Sequence, residues 1–504
     1  MTKKYFIFLI AGFAAHFYVL AQNRDAAWEL GFGCGNGSYP MPQFQFINGI
    51  IDTSSSIRTI GFFVTNTSIC DTAGNLLFYT NGVGIGNSNH DTLLNSVDFN
   101  PGFESNINCN LLATNQACLI LPQPQHSNKY FLFHMSSEHF IFQGTPHEHP
   151  LNFKYSVIDI NLDNGLGGID SNYKSLILLN DTMVSGFTNA CRHGNGRDWW
   201  VISPRFNSNA HKKFMLTPDS VYFSSSQNIG DTIRWRAGGQ SCFRPDGTMY
   251  AIKDIISGIN LFKFDRCTGM FYDSVFFQVP KLLGSYLDWT NGLAFSPSGR
   301  FLYVCQYTKI WQYDTWSSNI AASQIQVAEW DTVYNPFETY FFNMQLAPDK
   351  KIYISTWGTN YSLHTIENPD SLGMACNVNQ NSVSLSFPNS SVPTFPNYDL
   401  GPLIGSPCDT LGLGVLQNNS MEQLEITVSP NPANSIANFV YHLPTNKQVT
   451  LTLYDGYGNI VARQSLYGVF RNFMFHTDKL ANGLYYWVAQ NGEVSASGKL
   501  VVVH

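Results

Sequence analysis

Between Asn291 and Asp314 the chain reads NGLAFSPSGRFLYVCQYTKIWQYD. A short apolar strand (Leu293, Ala294, Phe295) runs into the turn Ser296-Pro297-Ser298-Gly299. An alternating strand, Phe301 to Gln306, and a third strand, Lys309 to Tyr313, follow and end on Asp314. Pro presets φ inside the turn, Gly closes it without steric cost, and the flanking runs are β-branched or aromatic. Such a meander cannot bury both of its faces by itself.

The rest of the chain repeats the unit. Ser241 to Asp254 carries Phe243, Arg-Pro-Asp-Gly and Met249-Tyr250, and Met344 to Ser355 carries the same shape, with Ile366-Glu367 in place of Tyr313-Asp314. His193 to Ser203 is an earlier copy. The turn positions Gly196, Gly247, Gly299 and Lys350 are 51, 52 and 51 residues apart. Asp71 to Asn81, and His126 to His134 with Phe153 to Ile160, are degenerate copies. A period near fifty, built of short strands, predicts an all-β chain with a β-propeller of four-stranded blades. An open array of β-sandwiches is the competing architecture. Six copies are visible, and residues 22–60 can supply a seventh, so seven blades are expected, with six as the alternative.

Composition sharpens this picture. Charged residues make up 12% and aromatics 14% of the 504, and the net charge is −7. Low charge with many Tyr, Phe, Asn, Ser and Gly suits strands and turns. No Lys/Arg cluster forms a basic stripe, which argues against nucleic acid as a partner. Lys3-Lys4, an apolar run from Tyr5 to Leu20 and Ala21 read as a signal peptide over 1–21, cut after Ala21 with Val19 at −3. A run of about 16 residues interrupted by His16 is short for a membrane span, and no integral membrane segment is expected after its removal. All ten cysteines lie beyond it, in a compartment that permits disulfides. Cys242 and Cys305 sit in strands as buried thiols, whereas Cys376 and Cys408 flank the end of the repeats and are the expected pair.

The domain order is therefore signal peptide 1–21, propeller 22–400, linker 401–424 and a last domain 425–504. The linker loses the repeat and gains Gly, Pro, Asn and Ser. The last eighty residues hold short alternating strands separated by Asp455-Gly456-Tyr457-Gly458-Asn459 and Asn482-Gly483, the pattern of a small Ig-like β-sandwich.

Within it, Pro430-Asn431-Pro432-Ala433, Leu453-Tyr454-Asp455, Gly458, Gly483-Leu484-Tyr485-Tyr486 and Lys499-Leu500-Val501-Val502 resemble the type A C-terminal sorting domain of the type IX secretion system. The resemblance covers 425–504 and implies Pro430, Asn431, Pro432, Gly483, Leu484, Tyr485 and Lys499 as sorting-signal residues. It further implies the secretion machinery as partner, passage through the periplasm, and delivery to the outer-membrane surface or the medium. The chain ends on His504 where members often end on a basic residue. Residues 25–400 are similar to secreted propellers with degenerate WD/YVTN-type repeats, on Gly74 to Gly82, Tyr155 to Asp159, Phe295 to Gly299 and Ala375-Cys376-Asn377. That similarity brings a fold and no activity.

Chemistry is sparse. No G-x-S-x-G elbow, P-loop, H-E-x-x-H or EF-hand loop occurs. His134, His139, His147 and His149, with Glu138 and Glu148, form the densest polar cluster. They could hold a divalent metal, against the reading of a solvated loop, and no metal site, catalytic residue or cofactor is assigned. Arg192-His193 could line a propeller face, against the reading of a satisfied turn histidine. Asp159, Asp265, Asp314 and Glu367 recur once per copy at a strand end, which points to turn structure. Trp28, Trp235, Trp289, Trp311, Trp316, Trp330 and Trp357 are divided between blade core and ligand stacking. The functional expectation is a secreted or surface propeller that binds a glycan, a peptide or a surface protein. The alternative is a hydrolase working in the propeller channel, a metal-dependent lactonase or a glycan-active enzyme, and a structural surface-layer component is a third reading.

Overall fold

A computed structural model describes residues 22–34, 37–142, 144–233, 239–254, 258–280, 290–409, 424–443, 448–467, 470–491 and 495–504. The expected signal peptide, Trp235 and Trp289, and 410–423 of the expected linker lie outside them. The chain divides into two compact units, 1–413 and 414–504.

Among the described residues of the first unit, seven antiparallel sheets of three or more strands follow one another. Sheet I comprises Ala27–Glu29, Tyr39–Ile47 and Ile50–Arg58, and sheet II comprises Thr67–Cys70, Leu76–Thr80 and Ile85–Asn87. Sheet III is built on Cys118–Pro122, Lys129–His134 and Asn152–Asp159, with a separate hairpin of Glu138–Phe142 and Thr145–His149 beside it. Sheets IV to VII have four strands each and begin at Asn189, Gly239, Thr290 and Phe341. The expected meander Asn291 to Asp314 is the core of sheet VI. A five-residue helix, Phe103–Ile107, interrupts the long connection between sheets II and III.

Each sheet packs on the next, and the ring closes. Phe78 meets Tyr130 at 5.7 Å between sheets II and III, and Phe153 meets Phe214 at 4.8 Å between III and IV. His211 meets Phe262 at 5.2 Å, and Phe277 meets Tyr313 at 4.8 Å, at the next two contacts. Between VI and VII, Phe301, Cys305, Phe341 and Met344 share one buried cluster. The seam is Trp28 against Tyr353 at 5.4 Å, with Gly31 N donating to Asn389 Oδ1 at 2.9 Å. Ser68 Oγ then bonds Ala27 O at 2.6 Å and joins I to II. The N-terminal segment thus makes a sheet of its own.

Burial explains the hydrophobic pattern. Phe301–Gln306 is buried at every position because neighbouring sheets cover both of its faces. The outermost strand Val378–Asn389 has a sheet on its inner edge only, and its exposure varies from residue to residue. The turns between first and second strands need positive φ. Gly196, Gly247 and Gly299 all adopt +73°, and Lys350 sits at +67° in the same place. A side chain there costs on the order of 1 kcal/mol.

In the second unit, Glu425–Ser429, Ile436–His442 and Phe470–His476 form one sheet. Ile460–Leu466, Val449–Tyr454, Gly483–Gln490 and Ser495–Val502, in that order, form the other. Phe439 stacks on Phe473 at 4.9 Å and meets Trp487 edge-on at 6.2 Å, so the two sheets enclose a single apolar core.

Candidate functional site

The axis of the ring is occupied. Gln240, at the start of the innermost strand of sheet V, donates from Nε2 to Met344 O at 2.6 Å, and its Oε1 accepts from Leu293 N and Met344 N. Asn115 Nδ2 donates to Gly239 O at 2.8 Å and lies 3.3 Å from Asn343 Oδ1 across the ring. Gln116 and Asn189 both donate to Ser241 O at 2.9 Å. All these side chains are buried. An unpaired buried amide costs about 1–3 kcal/mol, so the network holds five sheets in register. Sequence reading missed these residues. The signal was present, since Asn189 and Gln240 stand 51 residues apart in the same phase as the turn glycines.

Below the amides the chain itself fills the ring. After Asn389 it turns inward. Thr394 N bonds Asn66 O at 3.0 Å, Phe395 N bonds Gln345 Oε1 at 3.2 Å and Tyr398 OH bonds Ile120 O at 2.8 Å. Arg192 lies over the Trp199 ring at 4.0 Å and donates to Tyr398 O at 3.0 Å. The segment emerges among the turns between first and second strands. There Leu403 N bonds Gly194 O at 2.8 Å, and a Cβ on Gly196 would stand 2.7 Å from Pro402 N. Cys408 is disulfide-bonded to Cys267. Two expectations are corrected here. Cys408 does not pair with Cys376, which is a buried thiol in the core between sheets VI and VII, and residues 401–409 are part of the ring's turn face rather than linker. A second disulfide joins Cys34 to Cys109.

The opposite face carries the loops between second and third strands and between successive sheets. At sheets VI and VII these loops form an aromatic ridge. Trp330 meets Tyr340 at 4.6 Å and Tyr334 at 5.7 Å, Tyr307 meets Tyr340 at 5.8 Å and Trp357 at 5.3 Å, and Trp357 meets Phe342 at 5.0 Å. Trp357 is 43% exposed and Tyr334 60%. The loop bearing Tyr334 is held in place. Phe337 N donates to Asn360 Oδ1 at 3.0 Å, Tyr361 N to Asn335 O at 3.0 Å and Trp330 Nε1 to Thr339 Oγ1 at 3.2 Å. Elsewhere on this face a cleft of about 220 Å³ is lined by Glu104, Asn108, Thr114, Ser137, Glu148 and Ser185. Of the other tryptophans, Trp28 is core, Trp311 bonds Gln306 Oε1 at 2.7 Å, and Trp316 is exposed beside Arg300.

The four histidines do not converge. His134 is buried in sheet III, 3.1 Å from Ser156 Oγ, and burial pushes it down to about 3. In the neighbouring hairpin His139 pairs in register with Glu148, while His147 and His149 alternate onto the other side, where His149 packs 3.8 Å from Phe206. The pleat separates them. Among the described residues no group of three His, Cys, Asp or Glu is placed to hold a metal. His193 donates from Nε2 to Cys267 O at 3.0 Å and accepts from Asn195 N at 3.0 Å, as a satisfied turn histidine does. Asp265 Oδ1 accepts Cys267 N, Asp314 binds Trp316 N and Arg300, and Glu367 holds Lys351, so these strand-end carboxylates close turns.

In the second unit the two ends of the resemblance motif meet. Asn431 Nδ2 donates to Lys499 O at 2.9 Å, and its Oδ1 accepts Val501 N at 2.7 Å. Ala433 N then bonds Val501 O at 2.8 Å, so Pro430-Asn431-Pro432-Ala433 is sewn to the last strand. Asp455 Oδ1 accepts Tyr457 N and Asn459 N across the turn that Gly458 closes at φ +85°. Beyond Gly483, Tyr485 points into the core with its OH on Ala481 O at 2.9 Å, while Leu484, Tyr486 and Lys499 face outward.

Residues 427–503 match the family described as the secretion system C-terminal sorting domain. No curated protein is similar to the chain in sequence. Solved structures of similar outline include the periplasmic gluconolactonase of Pseudomonas aeruginosa, at 10% identity and a TM-score of 0.41, covering 73% of this chain and all of that one. The Dos1 propeller matches at 10% identity and a TM-score of 0.40, over 73% of this chain and 90% of its own. A gluconolactonase of Xanthomonas campestris matches at 12% and 0.31, over 65% and 94%. Likeness of this degree assigns no activity. The closed ring of sheets is a β-propeller, and the domain behind it is the sorting domain of the type IX secretion system, which exports the protein to the cell surface or the medium.

Proposed function

We propose that the propeller is a surface-delivered binding module that engages glycan chains, or a glycosylated surface partner, through the aromatic ridge of sheets VI and VII. The observation that carries this reading is the ridge itself, an exposed Trp357 and Tyr334 on loops pinned by Asn360. Apolar sugar faces associate with aromatic rings, and flanking amides supply hydrogen bonds. A preset platform loses little entropy on binding. The channel-hydrolase alternative requires room along the axis, which amides and residues 390–400 occupy.

The test is binding of the full mature chain to an array of glycans and surface polysaccharides, alongside Trp357→Ala and Tyr334→Ala. Each substitution is expected to weaken binding about tenfold, near the upper end of what one aromatic contact contributes. Silence of the wild-type chain on the array, or binding that both variants retain, would overturn the reading.

A further inference from the structure

The aromatic ridge is bordered by two carboxylates that have no counter-ion among the described residues. Trp357, Tyr307, Tyr340, Trp330 and Tyr334 follow one another in ring contact, with steps between 4.6 and 5.8 Å. Asp331 directly follows Trp330, and Glu338 is bridged to Tyr334 across the loop. Asp331 is fixed in place. Its Oδ1 accepts from Val333 N at 3.1 Å, its Oδ2 from Asn381 Nδ2 at 3.2 Å, and its own N donates to Gln380 Oε1 at 3.1 Å. Asn360 Nδ2 holds the backbone of Glu338, donating to its carbonyl at 3.1 Å. All of these partners are neutral. Lys309, on the same face, is committed to Glu329 at 3.8 Å and to Gln326 Oε1 at 3.0 Å. Aromatic faces carry negative charge at their centres and a carboxylate adds a full one, so this strip attracts an ammonium and repels a carboxylate or sulfate.

We infer that the ridge selects glycans with protonated amino groups, polymers of unacetylated amino sugars, over neutral and acidic ones. The inference rests on the glycan-binding reading above and adds the charge of the ligand. The apolar face of a sugar unit lies on the rings while its ammonium reaches Asp331 and Glu338. A polymer suits the site because the rings form a row that successive units can follow, whereas a lone ammonium is best held by rings that surround one point.

The test titrates four oligomers of equal length onto the full mature chain: an N-acetylhexosamine, its deacetylated counterpart, a uronic acid and a lysine oligomer. Low salt and about pH 6 keep the amines protonated and Asp and Glu ionised. The deacetylated oligomer is expected to bind about tenfold tighter than the acetylated one, and about 0.5 M salt to remove most of that preference. Asp331→Asn and Glu338→Gln should each cut the preference about threefold, an effect the size of one exposed ion pair. Asp219→Asn, in the turn over 217–220 of sheet IV, removes the same charge elsewhere and should leave the preference unchanged. Equal affinity for the acetylated and deacetylated oligomers, tighter binding of the uronic acid, a lysine oligomer bound as tightly as the amino sugar, a preference that both ridge variants keep, or one that Asp219→Asn loses would each overturn the inference and leave glycan binding standing. Silence of every glycan would overturn both.

Discussion

His364 donates from Nε2 to Thr339 O at 2.9 Å, and its Nδ1 accepts Asn381 N at 3.0 Å. Both ring nitrogens are thereby committed to the neutral form, and burial pushes the group down to about 4. His211 is likewise held at about 4 and His134 at about 3, with burial the main cause in each. The unfolded chain takes up these protons near pH 6.5, whereas the folded chain resists them until about pH 4. Stability therefore falls as pH drops below 6.5, by about 1.4 kcal/mol per pH unit for each histidine. Asp25, raised to about 6, acts in the opposite sense between pH 6 and 3.8. His364→Gln keeps a donor and an acceptor in place. It is expected to remove one proton's worth of slope between pH 6 and 4.5 in urea unfolding, and an unaltered slope would show that His364 is not neutral in the fold. At this scale the sequence was informative about turns and silent about buried amides. A glycine or an aspartate acts on its own neighbours, but what Gln240 bonds lies more than fifty residues away.

The element that most changes the molecule is the exit segment, 390–409. It holds Pro393, Pro396, Pro402 and Pro407 with serines and glycines and shows no alternation, so it reads as a loop running into a linker. Its partners include the inner strands of sheets II, III, IV and VII, and its end is tied by Cys267–Cys408 across 141 residues. Proximity along the chain favours Cys376 as the partner of Cys408, whereas the path through the ring delivers Cys408 to Cys267. A disulfide closing so long a loop typically contributes 2–4 kcal/mol. Cys408→Ser is expected to lower the unfolding free energy by that amount under oxidising conditions. Exchange should speed at 400–409 while the region of Tyr398, held by its own bonds to Ile120 and Arg192, stays protected. An unchanged urea midpoint would remove the disulfide from the stability of the ring.

The whole molecule joins a closed, filled ring to a delivery domain with a core of its own. Because the sorting domain packs its own Phe439, Phe473 and Trp487, its loss leaves the ring's core intact. Deleting 425–504 is therefore expected to leave a folded propeller in the periplasm and to abolish its appearance at the surface or in the medium. Fractionation with immunodetection reads this directly, and normal secretion of the truncated chain would contradict it. The ring then presents two unlike faces, one carrying the exit segment and the disulfide, the other carrying loops and the aromatic ridge.

The amino-acid sequence alone determined the repeated meander, the turn positions of sheets IV to VII, and the sorting domain with its motif residues. Each of these is set by short-range physics: runs of β-branched and aromatic residues between turns, the φ preference of glycine, and a contiguous set of eighty residues. Only the tertiary structure decided that 27–58 stands as a sheet of its own, that the axis is filled, which cysteines pair, and that His134, His139, His147 and His149 point apart. It also decided which aromatics face solvent, since Trp28 and Trp357 have equal claims as letters and differ only in whether a neighbouring sheet covers them. Those outcomes depend on contacts between residues hundreds of positions apart, which closure of the ring creates and no local pattern records.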